Sequence, residues 1–183
     1  MGFLKPFCIK LGLKKLKVSV LVVGCAGSGK TTIVNSLKPD KEEEIVPTVG
    51  FSIERFKFKK SKLTVIDMSG QAKYRKLWDC YYEDAKAVVF VIDAADEGSF
   101  PEAATALDEV LSHPHVKAKR LPLLVFANKK DLAKALSAEE VTRDLDLSKK
   151  VDLKQTWQVI GSSGVSGEGI ENGMKWLYEK LQR

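Results

Sequence analysis

Gly24-Cys25-Ala26-Gly27-Ser28-Gly29-Lys30-Thr31 is the stretch whose reading decides the fold. It fits G-x-x-x-x-G-K-[ST], the phosphate-binding loop. Val18-Ser19-Val20-Leu21-Val22-Val23 before it reads as a short buried strand, and Thr32-Ile33-Val34-Asn35-Ser36-Leu37 after it as the start of a helix. The glycines let the backbone turn so that its N–H groups face phosphate oxygens at the positive end of that helix. Lys30 then reaches the β- and γ-phosphates, and the Thr31 hydroxyl is placed to ligate Mg²⁺. The bland alternative is a glycine-rich turn that holds nothing. Strand before, helix after and all three fixed letters together favour a bound nucleoside phosphate.

Further strands and helices follow in alternation. Residues 38–44 form a polar loop that ends at Pro47-Thr48-Val49-Gly50. Residues 51–58 alternate through Phe51, Ile53, Phe56 and Phe58 with a slip near Glu54-Arg55, and residues 62–67 carry Leu63, Val65 and Ile66. Lys59-Lys60-Ser61 joins them tightly, which predicts a β-hairpin. Its lysines (Lys57, Lys59, Lys60, Lys62) read as a solvated edge rather than a binding patch. Residues 87–93 and 121–127 are continuous apolar runs of the kind buried on both faces in parallel sheets, and residues 156–160 supply a last strand. Ser99 with an early Pro101 predicts a helix N-terminus running toward His113-Pro114, Ser137 with Glu140 a capping box, and residues 171–181 the closing helix. The expected fold is α/β: a mostly parallel six-stranded sheet with one antiparallel edge hairpin and helices on both faces. Ligands on such sheets bind beyond the carboxyl ends of the strands. The phosphate loop, Asp67–Gly70, Asn128–Asp131 and Gly161–Ser163 all fall just after expected strands, so four stretches converge on one crevice.

A chain of 183 residues with 44% hydrophobic content suits one domain with a full core. No apolar run approaches the ~20 residues that span a bilayer, and the opening residues lack the pattern of a secretory signal. Cys8, Cys25 and Cys80 are scattered and odd in number, which favours reduced thiols in the cytoplasm over disulfides or zinc. The net charge of +6 is concentrated in residues 1–17, where Lys5, Lys10, Lys14, Lys15 and Lys17 meet no acid. The rest is nearly neutral, which argues against nucleic acid and for a partner of the arm. Phe3, Leu4, Phe7, Cys8 and Leu11 recur at helical spacing with lysines outside the stripe. Such a helix either lies on an anionic membrane surface or folds onto the domain. The expected division is an amphipathic basic helix and linker over 1–17 and a nucleotide-binding domain over 18–183. Pro6 stands where a myristoylation signal at Gly2 wants Ser or Thr.

The remaining motifs specify the chemistry. Asp67 ends a strand where its carboxylate can hold Mg²⁺ through a water, Gly70 lets its N–H approach a γ-phosphate, and Gln71 can orient a water for in-line attack. Asn128-Lys129-Lys130-Asp131 selects the base. The Asp131 carboxylate accepts from two neighbouring donors, which guanine offers and adenine does not. Asn128 steadies the loop and the Lys129 stem can lie over the ring.

Together these residues resemble the Arf family of small GTPases over essentially the whole chain. The matching pieces are Gly24–Thr32, Pro47–Phe51, Asp67–Gln71, Leu77-Trp78, Tyr81-Tyr82, Asn128–Asp131 and the amphipathic arm. Residues 51–57, Ser69, residues 90–93 and His113-Pro114 are similar to the Bardet–Biedl branch, which recruits the BBSome coat at the cilium. The resemblance implies the phosphate-loop small G-protein fold, GTP and GDP as ligands and Mg²⁺ as cofactor. It implies that Gly24 to Thr32, Thr48, Gly70, Asn128, Lys129, Asp131, Gly161 and Ser162 hold the nucleotide. Thr31 and Thr48 would ligate the metal directly and Asp67 through water, with Gln71 catalytic. It further implies a monomer, cytoplasmic and peripheral to membrane in the GTP state, at the cilium or basal body. Residues 2–17 would meet the membrane, and the switch regions a BBSome-like effector coat, an exchange factor and a GTPase-activating protein.

Two departures stand out: Ala26 replaces the usual aspartate of the family, and Gly161 its usual alanine. No arginine is obviously placed as an internal finger, which implies slow hydrolysis without a partner. Two other readings remain open. A small-molecule kinase uses the same loop but needs an arginine-rich lid, and the chain's five arginines do not cluster. A nucleotide-locked module with little turnover is favoured by Ala26 and opposed by Gln71.

Overall fold

A computed structural model describes residues 17–40 and 45–182. The expected amphipathic helix of the arm and Cys8 lie outside the described residues, as does the loop at 41–44. The strands are β1 (Lys17–Val23), β2 (Phe51–Phe58), β3 (Ser61–Met68), β4 (Ala87–Asp93), β5 (Leu123–Asn128) and β6 (Trp157–Gly161). They lie in the order β2-β3-β1-β4-β5-β6. All neighbours are parallel except β2 and β3, which pair antiparallel from Phe51↔Met68 to Phe58↔Ser61. The helices are α1 (Lys30–Leu37), α2 (Asp79–Tyr82), α3 (Phe100–Ser112), α4 (Pro114–Lys119), α5 (Ala138–Asp144), α6 (Leu147–Lys150) and α7 (Ile170–Leu181).

Period-two alternation divides the core between the sheet's two faces. Leu21, Val23, Phe90, Ile92 and Val125 point to the side covered by α3, α5 and the Trp78–Tyr82 segment. Val20, Val22, Val89, Val91 and Phe126 point to the side covered by α1 and α7. Helices thus cover both faces, and the fold class is as expected.

Several local details differ. The hairpin has no slip at Glu54-Arg55, because the ladder is continuous. The apolar residues instead change face. Phe51 and Ile53 project to solvent at 42% and 38% exposure, whereas Phe56 and Phe58 pack against the α7 side. Ser99 does not cap α3 with its side chain. It lies in a short 3₁₀ turn (Glu97–Ser99), and its hydroxyl donates to the Asp96 carbonyl at 2.7 Å. The Ser137–Glu140 capping box is present in both directions. Helices α4 and α6, too short to show a periodicity, were not anticipated.

Candidate functional site

The phosphate loop leaves β1 at the carboxyl edge of the sheet and runs straight into α1, whose first residue is Lys30. Lys30 is 6% exposed, and its Nζ donates to the carbonyls of Gly24 (3.0 Å) and Cys25 (2.7 Å). Burial lowers its pKa to about 8, partly opposed by the nearby Asp67 carboxylate. An ammonium held at the lip of its own loop, hydrogen-bonded there only to carbonyls among the described residues, is set to receive anionic oxygens. Burial also raises the Cys25 thiol, so this cysteine is a packing residue and not a nucleophile.

Thr31, Thr48 and Asp67 come from three elements and meet at one point. Both hydroxyls donate to Asp67 Oδ2, at 2.6 and 3.2 Å, and lie 2.8 Å from each other. Asp67 is fully buried, and its Oδ1 has no hydrogen-bond partner among the described residues. Desolvation raises its pKa against the pull of the Thr31 hydrogen bond and of Lys30. Hard oxygen donors around an orphaned buried carboxylate oxygen fit a small divalent cation such as Mg²⁺.

A cavity of about 270 Å³ opens beside this cluster, between the phosphate loop, residues 45–48 and residues 68–71. Lys30, Thr31, Thr48, Gly70 and Gln71 line it, as does Ala26. Gly70 is pressed against the loop: a Cβ on it would lie 2.4 Å from the Ala26 nitrogen. Ser69, which is buried, ties the strand end to both sides. Its N–H donates to the Gly50 carbonyl (2.9 Å), and its own carbonyl accepts from the Trp78 indole (3.3 Å). Gln71 is exposed at the mouth, where its side chain is free to meet a water.

The residues expected to select the base do not line this cavity; they lie further along the same edge. Asn128 is buried and joins three loops. Its Nδ2 donates to the Ser28 carbonyl (2.8 Å), and its Oδ1 accepts from the Gly164 N–H (3.0 Å) and the Ser162 hydroxyl (3.3 Å). Asp131 is exposed, and Gly161 closes β6 beside Lys130. Thr32, Cys25, Gly27 and Gly29 stand in or directly after the phosphate loop as expected.

Two site features escaped the sequence reading. Lys129 Nζ pairs with Asp93 Oδ2 at 2.6 Å, which fixes the lysine stem; Asp93 ends a buried strand at the same edge, a signal that was there to use. Arg75 packs behind the phosphate loop, with Nη2 3.9 Å from Cys25 Sγ and paired to Glu102 of α3. No pattern in the sequence joins those three residues.

A parallel sheet with a phosphate loop, a carboxylate–hydroxyl cluster and an Asn-Lys-x-Asp segment on one edge defines a guanine-nucleotide-binding domain of the phosphate-loop class. The chain belongs to the ADP-ribosylation factor family, whose profile matches residues 4–181. It is therefore an Arf-like small GTPase, which binds GTP and GDP and hydrolyses GTP. It is 46% identical to ADP-ribosylation factor-like protein 6 of Danio rerio, over all of this chain and 98% of that protein. It is 38% identical to ADP-ribosylation factor-like protein 1 of Saccharomyces cerevisiae, over 94% of this chain and 92% of that one. Among solved structures, the Arl6 (BBS3) small GTPase of Trypanosoma brucei with the bound analogue GppNp matches with a TM-score of 0.87 at 35% identity. That match covers 92% of this chain and 99% of the other.

Proposed function

We propose that this GTPase is a membrane-recruitment switch, whose GTP form places the basic arm (residues 2–17) on membrane and binds an effector coat of the BBSome type at the cilium. The observation that carries the switch is the meeting of Thr48 and Thr31 at 2.8 Å over Asp67. That contact closes the 45–48 loop over the cavity where a γ-phosphate would sit, so the presence of that phosphate decides whether the loop stays. Thr31 and Thr48 would hold Mg²⁺ directly and Asp67 through a water; the ion neutralises charge on the phosphates. Gln71 would orient the attacking water, Gly70 N–H would bind the γ-phosphate, and Asn128, Lys129, Asp131, Gly161 and Ser162 would hold guanine.

Exposure supports an effector surface at the hairpin. Phe51 is 42% exposed and meets the Tyr81 ring in a tilted contact, centroids 5.0 Å apart, which joins β2 and α2 into one apolar patch beside Ile53. The ciliary coat is favoured by the resemblance to factor-like protein 6, not by this geometry alone. Arg75 is committed to Glu102 and does not serve as an internal finger, so hydrolysis is slow until a partner supplies one, worth ~10³–10⁵ in rate.

Three measurements test this reading. Single-turnover cleavage of GTP should slow on the order of 10-fold in Gln71→Leu, since the residue that aligns the water is gone. Protein loaded with a non-hydrolysable GTP analogue should retain coat subunits in a pull-down and GDP-loaded protein should not; equal retention would sink the switch. Transfer of phosphate to a metabolite would favour the kinase reading instead.

A further inference from the structure

The pole of the sheet opposite the nucleotide site is basic, and nothing in the GTPase cycle uses it. The segments leading into β5 and β6 enclose a cavity there of about 620 Å³. Lys117, Arg120 and Lys154 line it and are exposed, with no ion pair among the described residues. Lys149 and Lys150 also line it but are paired, to Asp146 (3.0 Å) and Asp108 (2.9 Å). Asp152 is the single acid in the lining, and its carboxylate accepts from the Lys154 N–H at 2.7 Å. Leu153, between them, is 100% exposed.

A second cavity of about 340 Å³ continues the pole toward the centre of the sheet, with Lys86, Lys119 and Lys180 around Val18 and Leu181. Val18 follows Lys17, the first residue of β1, so the described chain begins at this same pole. Neither cavity has an aromatic residue in its lining, as single-stranded nucleic acid would require for stacking. A wholly exposed leucine among unpaired cations instead suits the boundary of an anionic bilayer, where apolar groups dip below the phosphates and lysines meet them.

We infer that this pole is a second membrane contact, in which Lys117, Arg120 and Lys154 take lipid phosphate headgroups and Leu153 enters the headgroup layer. The inference rests on the membrane reading of the arm only for its direction, because an arm lying on the bilayer brings this pole down with it. The contact exists in either nucleotide state and turns the nucleotide pocket away from the bilayer.

The test uses the full chain, loaded with GDP or a GTP analogue, and sedimented with vesicles of equal parts phosphatidylcholine and phosphatidylserine. Each cation near an anionic leaflet strengthens binding about fivefold, so Lys117→Ala/Arg120→Ala/Lys154→Ala should weaken it on the order of 100-fold. Binding of a fluorescent GDP should not change in that variant. In the unmodified protein, amide exchange over residues 151–156 should slow when vesicles are added. Leu4→Glu/Leu11→Glu tests the arm separately. Loss of binding in the arm variant alone, with residues 151–156 unprotected, overturns the pole and leaves the proposed function standing. Loss in the pole variant alone supports the pole and removes the arm.

Discussion

Lys30 is a cation that the fold buries before it has an anion to hold, and its titration follows from that. Its folded pKa of about 8 lies below the ordinary 10.5, so the unfolded chain binds more protons between those values. The burial penalty is therefore present in full below pH 8 and is relieved as pH rises through that window. Nucleotide phosphates favour the charged form, so binding above about pH 8 must take up a proton. Calorimetry at about pH 9, in buffers of different ionisation enthalpy, should register uptake approaching one proton, with affinity falling up to tenfold per pH unit. No uptake would mean that the phosphates do not reach Lys30. Asp131 makes a second case. If it holds guanine as proposed, replacing it by Asn removes two charge-assisted acceptor bonds of about 1.5–3 kcal/mol each, so GTP should bind ~10²–10⁴-fold more weakly. Competition between GTP and ATP checks this, and an unchanged preference would place the base elsewhere. The place of Asp131, just past the end of β5, was legible because a buried apolar run ends in front of it. The Arg75–Cys25–Glu102 cluster was not, since its members are far apart in sequence and meet only through packing.

Among the elements, α7 shows how closely a helix can be set on the sheet. Gly173 faces the Phe126 ring of β5, and a Cβ there would lie 2.5 Å from it. Gly173→Ala should thus cost about 1–3 kcal/mol by overpacking, even though alanine is the better helix former. Urea unfolding reads this directly; a gain in stability would show that the ring has room to move. At α5, Ser137→Ala removes one half of the capping box and should cost about 1 kcal/mol in the same assay. That box could be read in advance because its partners are three residues apart and both local. The face change in β2 could not. Phe51, Ile53, Phe56 and Phe58 look like one interrupted stripe, yet a straight strand sends the first pair outward and the second inward. The interruption marks two surfaces with different neighbours and no fault in the backbone.

For the molecule as a whole, stability and occupancy are linked. GTP analogue with Mg²⁺ at 100 times its dissociation constant should add about 2.7 kcal/mol to the unfolding free energy. Chelating the metal should remove part of that, because Asp67 then keeps a buried oxygen without a partner. A melting temperature indifferent to chelator would contradict the cation site drawn from Thr31, Thr48 and Asp67. The global architecture was readable because each chemical motif directly follows a strand, and strand ends share an edge in this class of sheet. The short helices α4 and α6 and the basic pole were not readable, since they depend on where the return segments come to rest.

The hairpin register carries one more consequence. On β3, Leu63 and Val65 face the α7 side while Ile66 and Met68 face the other. Advancing β2 and β3 against β1 by a single residue would turn greasy side chains to water and Asp67 to the wrong layer, whereas two residues restore every orientation. If this edge ever travels during the nucleotide cycle, it must do so in even strides.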